Sequence, residues 1–122
     1  MKLLKVLIVD DNVAAAASLA TFLSLDGHEV ECAYDGAAAL DAAARFHPEL
    51  VLLDISLPVL DGYEVARRLK ADPTLSPQPL VVAVTGYAQE SDRRQTLEAG
   101  FDEHLVKPLD EERLAAVLLR AS

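Results

Sequence analysis

Five side chains in this 122-residue chain point to one kind of chemistry. Asp54 closes the apolar run Leu50-Val51-Leu52-Leu53 and is followed by the turn Pro58-Val59-Leu60-Asp61-Gly62. Asp10 and Asp11 close Val6-Leu7-Ile8-Val9, Thr85 closes Val81-Val82-Ala83-Val84, and Lys107 follows Leu105-Val106. Short apolar runs of this type read as buried strands, and open α/β sheets bind ligands outside the carboxyl ends of their strands. Three acids, a hydroxyl and an amine delivered by four strands to one edge make a phosphoryl-transfer site.

Each residue type has its part in that chemistry. An ionised Asp attacks phosphorus and carries the group as an acyl phosphate, so Asp54 is the candidate nucleophile. The reaction asks for in-line positioning and for cations near the equatorial oxygens. Two unit charges about 4 Å apart repel by roughly 4 kcal/mol at an effective dielectric of about 20. Asp10 and Asp11 beside Asp54 therefore call for a hard cation, and Mg²⁺ typically takes one or two carboxylates with waters and phosphate oxygens. Lys107 adds a fixed positive charge, and Thr85 a hydroxyl that donates to a phosphoryl oxygen.

Taken singly, each has a plainer explanation. Two acids near a helix N-terminus are favoured by the dipole. A strand-end threonine caps a helix, and a lysine before a turn proline is common. The Lys107-Pro108 bond is of the kind that tolerates cis, which would aim the lysine. Asp61-Gly62 is a turn and helix cap with no direct chemistry.

The elements that must position these residues alternate along the chain. Strands are expected at Leu4 to Val9, Val30 to Tyr34, Leu50 to Leu53, Leu80 to Thr85 and Glu103 to Val106. Helices rich in Ala, Leu, Glu and Arg are expected at Val13 to Leu25, Ala37 to Phe46, Tyr63 to Ala71, Ala88 to Ala99 and Glu111 to Arg120. Asn12 and Asp110 are placed to cap the first and last helices, and Gly27 and Gly100 to follow the first and fourth. Five strands alternating with five helices imply βαβ units and a parallel sheet covered on both faces. The third and fourth runs are apolar on both faces, as central strands require, whereas the polar fifth run reads as an edge.

Composition narrows the partners. The chain is long enough for one domain, 1–122, with one core. Its net charge of −9 argues against a basic nucleic-acid face and against an anionic membrane surface. The single cysteine, Cys32, excludes an internal disulfide and fits a reducing compartment. The apolar stretch that opens Met1-Lys2-Leu3-Leu4-Lys5 meets Asp10-Asp11 too early for an export signal, and no run has membrane-spanning length. The expected location is cytoplasmic. Nothing in these residues is left over for an output domain, so the expected output is a protein contact or a phosphoryl relay.

The set Asp10-Asp11, Asp54, Pro58, Asp61-Gly62, Thr85-Gly86 and Lys107-Pro108, in this order and spacing, resembles the receiver domain of two-component response regulators. The resemblance covers essentially the whole chain. It implies a (βα)5 doubly wound, flavodoxin-like fold; the strand order 2-1-3-4-5 is carried over from the family, for which it is well known, and is not read from periodicity. It implies a non-enzymatic phosphoacceptor switch: Asp54 accepts from a histidine kinase or histidine phosphotransfer protein, and a changed surface then meets a downstream protein. It implies Mg²⁺ held by Asp11, Asp54 and the backbone carbonyl of Ser56, with Asp10 acting mainly through water. The segments Thr85-Gly86-Tyr87-Ala88-Gln89-Glu90 and Ala99 to Pro108 are also similar to receivers at the C-terminus of hybrid sensor kinases. A relay module of a hybrid kinase is therefore the first alternative, and a pseudo-receiver docking module the second. An aspartyl-phosphate hydrolase would need an acid at Ser56 and usually a cap domain.

Three positions tune this reading. Many receivers carry Tyr or Phe three residues before the lysine; here His104 stands there, either as a partly exposed residue with no switching role or as a group whose charge biases the switch between about pH 5 and 8. Ser56 and Tyr87 lie two residues beyond Asp54 and Thr85, where family side chains control water access to the phosphoryl group. Tyr87 is bulky enough to shield an acyl phosphate. Cys32, His28 and His47 read as structural or surface residues. A homodimer formed on activation is the further partner that the resemblance allows.

Overall fold

The computed structural model describes residues 3–55, 57, 60–86 and 90–122, with residues 90–93 described by backbone alone. Ser56, Pro58 and Tyr87 fall outside the described residues, and with them the expectations placed on them. Ten elements alternate: β1 Lys5–Val9, α1 Val13–Leu25, β2 Glu29–Ala33, α2 Gly36–Phe46, β3 Leu50–Asp54, α3 Gly62–Ala71, β4 Leu80–Thr85, α4 Glu90–Glu98, β5 Glu103–Val106 and α5 Glu111–Ala121. The strands form one parallel sheet in the order β2-β1-β3-β4-β5. This is the doubly wound order expected above.

Side chains alternate across the sheet, and the helices divide accordingly. Val6, Ile8, Leu50, Leu52, Val82 and Val84 pack with α1 and α5 through Leu23, Leu114, Val117 and Leu118. Leu7, Val9, Val51, Leu53, Val81 and Ala83 pack with α2 and α3 through Ala39, Ala43, Val65 and Leu69. Every residue of β3 is buried, as its apolar run predicts for a central strand.

Helix starts follow side-chain capping. Asn12, Asp35 and Asp61 each accept a hydrogen bond from the backbone N–H three residues on, and Asp110 from Glu112 N–H. The Asp35 cap begins α2 one residue before the expected Ala37. Gly27 and Gly100 take positive φ values of 96° and 97° after α1 and α4, the left-handed conformation that glycine reaches without steric cost.

Other boundaries moved for definable reasons. β2 is Glu29–Ala33 rather than Val30 to Tyr34. On this edge strand, pairing with β1 starts at Lys5↔Glu29, so backbone hydrogen bonding recruits an exposed Glu29, and Tyr34 lies beyond the ladder. α4 is Glu90–Glu98 rather than Ala88 to Ala99; residues 88 and 89 are outside the described set. Opposite the carboxyl edge, Asp102 Oδ2 accepts from Lys70 Nζ at 2.6 Å and from Val81 N at 2.9 Å, tying α3 and β4 to the start of β5.

Candidate functional site

The carboxyl ends of β1, β3, β4 and β5 converge on the acidic positions. Asp54 ends β3 within the strand itself, not one residue after it, and is only 7% exposed. Asp10 follows β1 and is equally buried, whereas Asp11 is exposed. Asp54 is in phase with Leu52 along β3, and Asp10, just past β1, borders the same space as Asp54, Ile8 and Leu52, so both stand on the α1 and α5 side of the sheet.

Local hydrogen bonds set the geometry. Asp10 N donates to Ala33 O at 3.1 Å, and Asn12 N donates to Asp10 Oδ1 at 2.9 Å. One Asp10 oxygen is therefore committed to the turn, leaving Oδ2 for Lys107 Nζ at 3.2 Å. The same ammonium lies 3.4 Å from Asp54 Oδ2. Lys107 N donates to Thr85 O at 2.8 Å, which locks the lysine to the end of β4, and the Lys107-Pro108 peptide is cis. Burial pushes the Lys107 ammonium down, but the Asp10 hydrogen bond and the charges of Asp54 and Asp10 outweigh it, and its pKa ends above the ordinary lysine value.

The three carboxylates fit a divalent cation. One oxygen from each of Asp10, Asp11 and Asp54 lies within 4.8 Å of the others. Ligands on opposite sides of a Mg²⁺ stand about 4.2 Å apart, so small side-chain rotations bring these oxygens onto one ion, and the all-oxygen set suits a hard metal. The backbone carbonyl expected to complete the set belongs to Ser56, outside the described residues.

Thr85 ends β4, is 1% exposed, and pairs with Val106 in the β4–β5 register. His104 pairs with Ala83, so Thr85 and His104 share the α2 and α3 side of the sheet as diagonal neighbours on adjacent strands. His104 is half-buried in a depression with Leu97, Phe101 and Arg113. His28 is buried and structural, its Nδ1 accepting from Leu4 N at 3.0 Å, and His47 forms the left-handed end of α2. Cys32 is half-buried on β2.

Sequence reasoning gave Gly62 only a capping turn. A Cβ there would stand 2.5 Å from Ile55 Cα and 2.7 Å from Asp54 O, so its missing side chain lets α3 begin directly against the Asp54 backbone. Gly36 does the same from α2, where a Cβ would lie 2.6 Å from Leu60 O. The signal was the Asp-Gly dipeptide, present at both helix starts.

Residues 6–119 match the family model described as the response regulator receiver domain, and the chain belongs to that family. It is 42% identical over 112 residues to the response regulator PleD of Caulobacter vibrioides, covering 92% of this chain and 24% of PleD. Its identity to the response regulator MprA of Mycobacterium avium is 41% over 113 residues, covering 93% of this chain and 48% of MprA. The chain thus spans about half, or less, of the length of these relatives. Among solved structures, the Vibrio cholerae chemotaxis protein CheY4 superposes with a TM-score of 0.89 at 27% identity, covering 99% of this chain and all of that one. The receiver domain of the sensor histidine kinase PA1611 from Pseudomonas aeruginosa superposes with a TM-score of 0.85 at 32% identity, covering 98% and 97%; its structure has a magnesium ion coordinated in the active-site cleft.

Proposed function

We propose that this receiver is a phosphoacceptor switch, with Asp54 taking a phosphoryl group from a histidine kinase or histidine phosphotransfer protein. The observation that carries the proposal is the gathering of Asp10, Asp11 and Asp54 around one small volume with Lys107 Nζ leaning on two of them. The Asp54 carboxylate attacks phosphorus, and the bond from phosphorus to the donor's histidine nitrogen breaks as the acyl phosphate forms. Lys107, released from its pairing with Asp54 Oδ2, turns to a phosphoryl oxygen, and the Thr85 hydroxyl donates to another. Asp11, Asp54 and the Ser56 carbonyl would hold Mg²⁺, with Asp10 acting mainly through water; when bound, that ion would neutralise charge developing on the phosphoryl oxygens. The chain acts on no separate substrate.

The readout is a two-state shift. Movement of Thr85 toward the phosphoryl group vacates space beside His104 on the shared face, and repacking there alters the surface of α4, β5 and α5. A downstream protein or a second copy of the chain reads that surface, in the cytoplasm. The likeness to the PA1611 receiver favours, as a second reading, a relay role within a hybrid kinase.

Intact mass after incubation with Mg²⁺ and acetyl phosphate tests the proposal. A gain of one phosphoryl group that is absent from Asp54→Ala and abolished by chelation is expected. If neither acetyl phosphate nor beryllofluoride engages the wild-type protein, the phosphoacceptor reading fails.

A further inference from the structure

A cavity of about 400 Å³ lies beneath Lys107 on the α1 and α5 side of the sheet. This volume falls within the range of about 300–1,000 Å³ usual for small-molecule sites. Its walls include Ile8, Leu19, Leu52, Val84 and Leu109. α1 contributes Ala15 and Ser18 to the lining, and their small side chains leave the space open. Apart from Ser18, the polar lining is Asp10, Asp54 and Lys107, all supplied from the carboxyl edge of the sheet. The chamber is thus greasy below and charged above, the layout of a pocket that orients a guest by one polar head.

The sign of that head follows from the charges on the page. The lining sets the carboxylates of Asp10 and Asp54 against the single ammonium of Lys107, and an oxygen of the exposed Asp11 lies within 4.8 Å of theirs. An anionic head meets net repulsion there, and a cationic head meets attraction. The same two buried carboxylates serve a divalent cation, so a cationic head and the metal compete for them.

We propose that this cavity binds a compact amphipathic monocation, an apolar body of about six to ten non-hydrogen atoms bearing an ammonium or amidinium, which excludes the divalent cation from the acidic site. Such a ligand holds the domain in its metal-free state and so couples a small organic amine to phosphoryl acceptance. The binding step does not depend on the phosphoacceptor reading, because it needs only the cavity and the carboxylates.

Benzylamine, protonated at neutral pH, is the probe, and benzyl alcohol is its neutral counterpart. Each is titrated into the isotope-labelled wild-type domain and into Ala15→Leu and Ser18→Leu, followed by amide and methyl resonances. Saturable shifts at Ala15, Leu19 and Leu109 are expected with benzylamine. Affinity should be about tenfold lower for benzyl alcohol, equivalent to about 1.4 kcal/mol, and the affinity of benzylamine should fall when Mg²⁺ is added. Both leucine variants should lose binding while still gaining mass from acetyl phosphate, so a failed cavity and a failed acceptor are told apart. Absence of saturable shifts in wild type, equal affinity for the alcohol, indifference to Mg²⁺, or undiminished binding in both leucine variants would each overturn the proposal.

Discussion

The Lys107 ammonium rests 3.4 Å from Asp54 Oδ2, although its side chain is 38% exposed and the Asp54 side chain only 9%. A wet cation thus serves a buried anion. Because the folded state raises the Lys107 pKa, its stabilising contribution is fully present below the ordinary lysine value of about 10.4 and is lost as pH rises through the folded value. The stability gap between wild type and Lys107→Met, from urea unfolding without divalent ions, should be flat from about pH 7 to 9 and narrow above about 10.5. Exposure screens the pair, so the gap should also shrink with added salt. A gap that widens in alkali would contradict the assignment.

Metal removal has a stability signature of its own. Mg²⁺ at about ten times its Kd should stabilise the fold by about 1.4 kcal/mol, with a matching rise in Tm, and chelation should reverse it. Asp54→Asn and Asp11→Asn should each diminish the rise, since each deletes a charge from the set of three. Calorimetric scans with and without the ion make the comparison.

Gly62 and Gly86 form a matched pair. Gly62→Ala drives a methyl into the backbone at Ile55 and Asp54 and should cost about 1–3 kcal/mol, with a weaker Mg²⁺ response because the acceptor backbone must shift. At Gly86 an added Cβ meets nothing within 4 Å, so Gly86→Ala should be neutral or stabilise by up to about 1 kcal/mol. Denaturant midpoints of the two variants decide; equal losses would refute the close-approach argument.

The Lys70–Asp102 pair lies at the opposite edge, with side chains 24% and 26% exposed. Asp102→Ala removes the acceptor of Val81 N–H and the carboxylate partner of Lys70 Nζ, which keeps Pro79 O at 3.3 Å, and should cost roughly 1.5–3 kcal/mol. Acceptance of phosphate at saturating Mg²⁺ should be unaffected, as the change lies far from the carboxyl edge. Unfolding curves read the first effect and intact mass the second.

The residues gathered at the acidic edge were more legible in the sequence than the supports beneath them. Asp10, Asp11, Asp54, Thr85 and Lys107 were each marked by an apolar run ending in a polar residue, and the structure brings the three acids and the lysine together. The helix pattern was read to within a residue or two wherever caps or apolar periodicity marked it. Gly36 and Gly62 open their helices, one residue before the expected starts, although glycine is a poor helix former; packing against Leu60 and Asp54 overrides that preference. Lys70 and Asp102 stand 32 residues apart with no shared local pattern, so only the fold pairs them. Strand order came from family likeness, since periodicity says which residues face a core but not which strands are neighbours.

The contact between Lys107 and Asp10 spans 97 residues, nearly the length of the family match. During synthesis the acids at 10, 11 and 54 emerge first, and the ammonium that tempers them emerges last. A nascent chain stalled after β4 lacks the ammonium that stands beside Asp10 and Asp54 in the complete structure. The charge balance of the acidic edge is therefore a property of the finished fold.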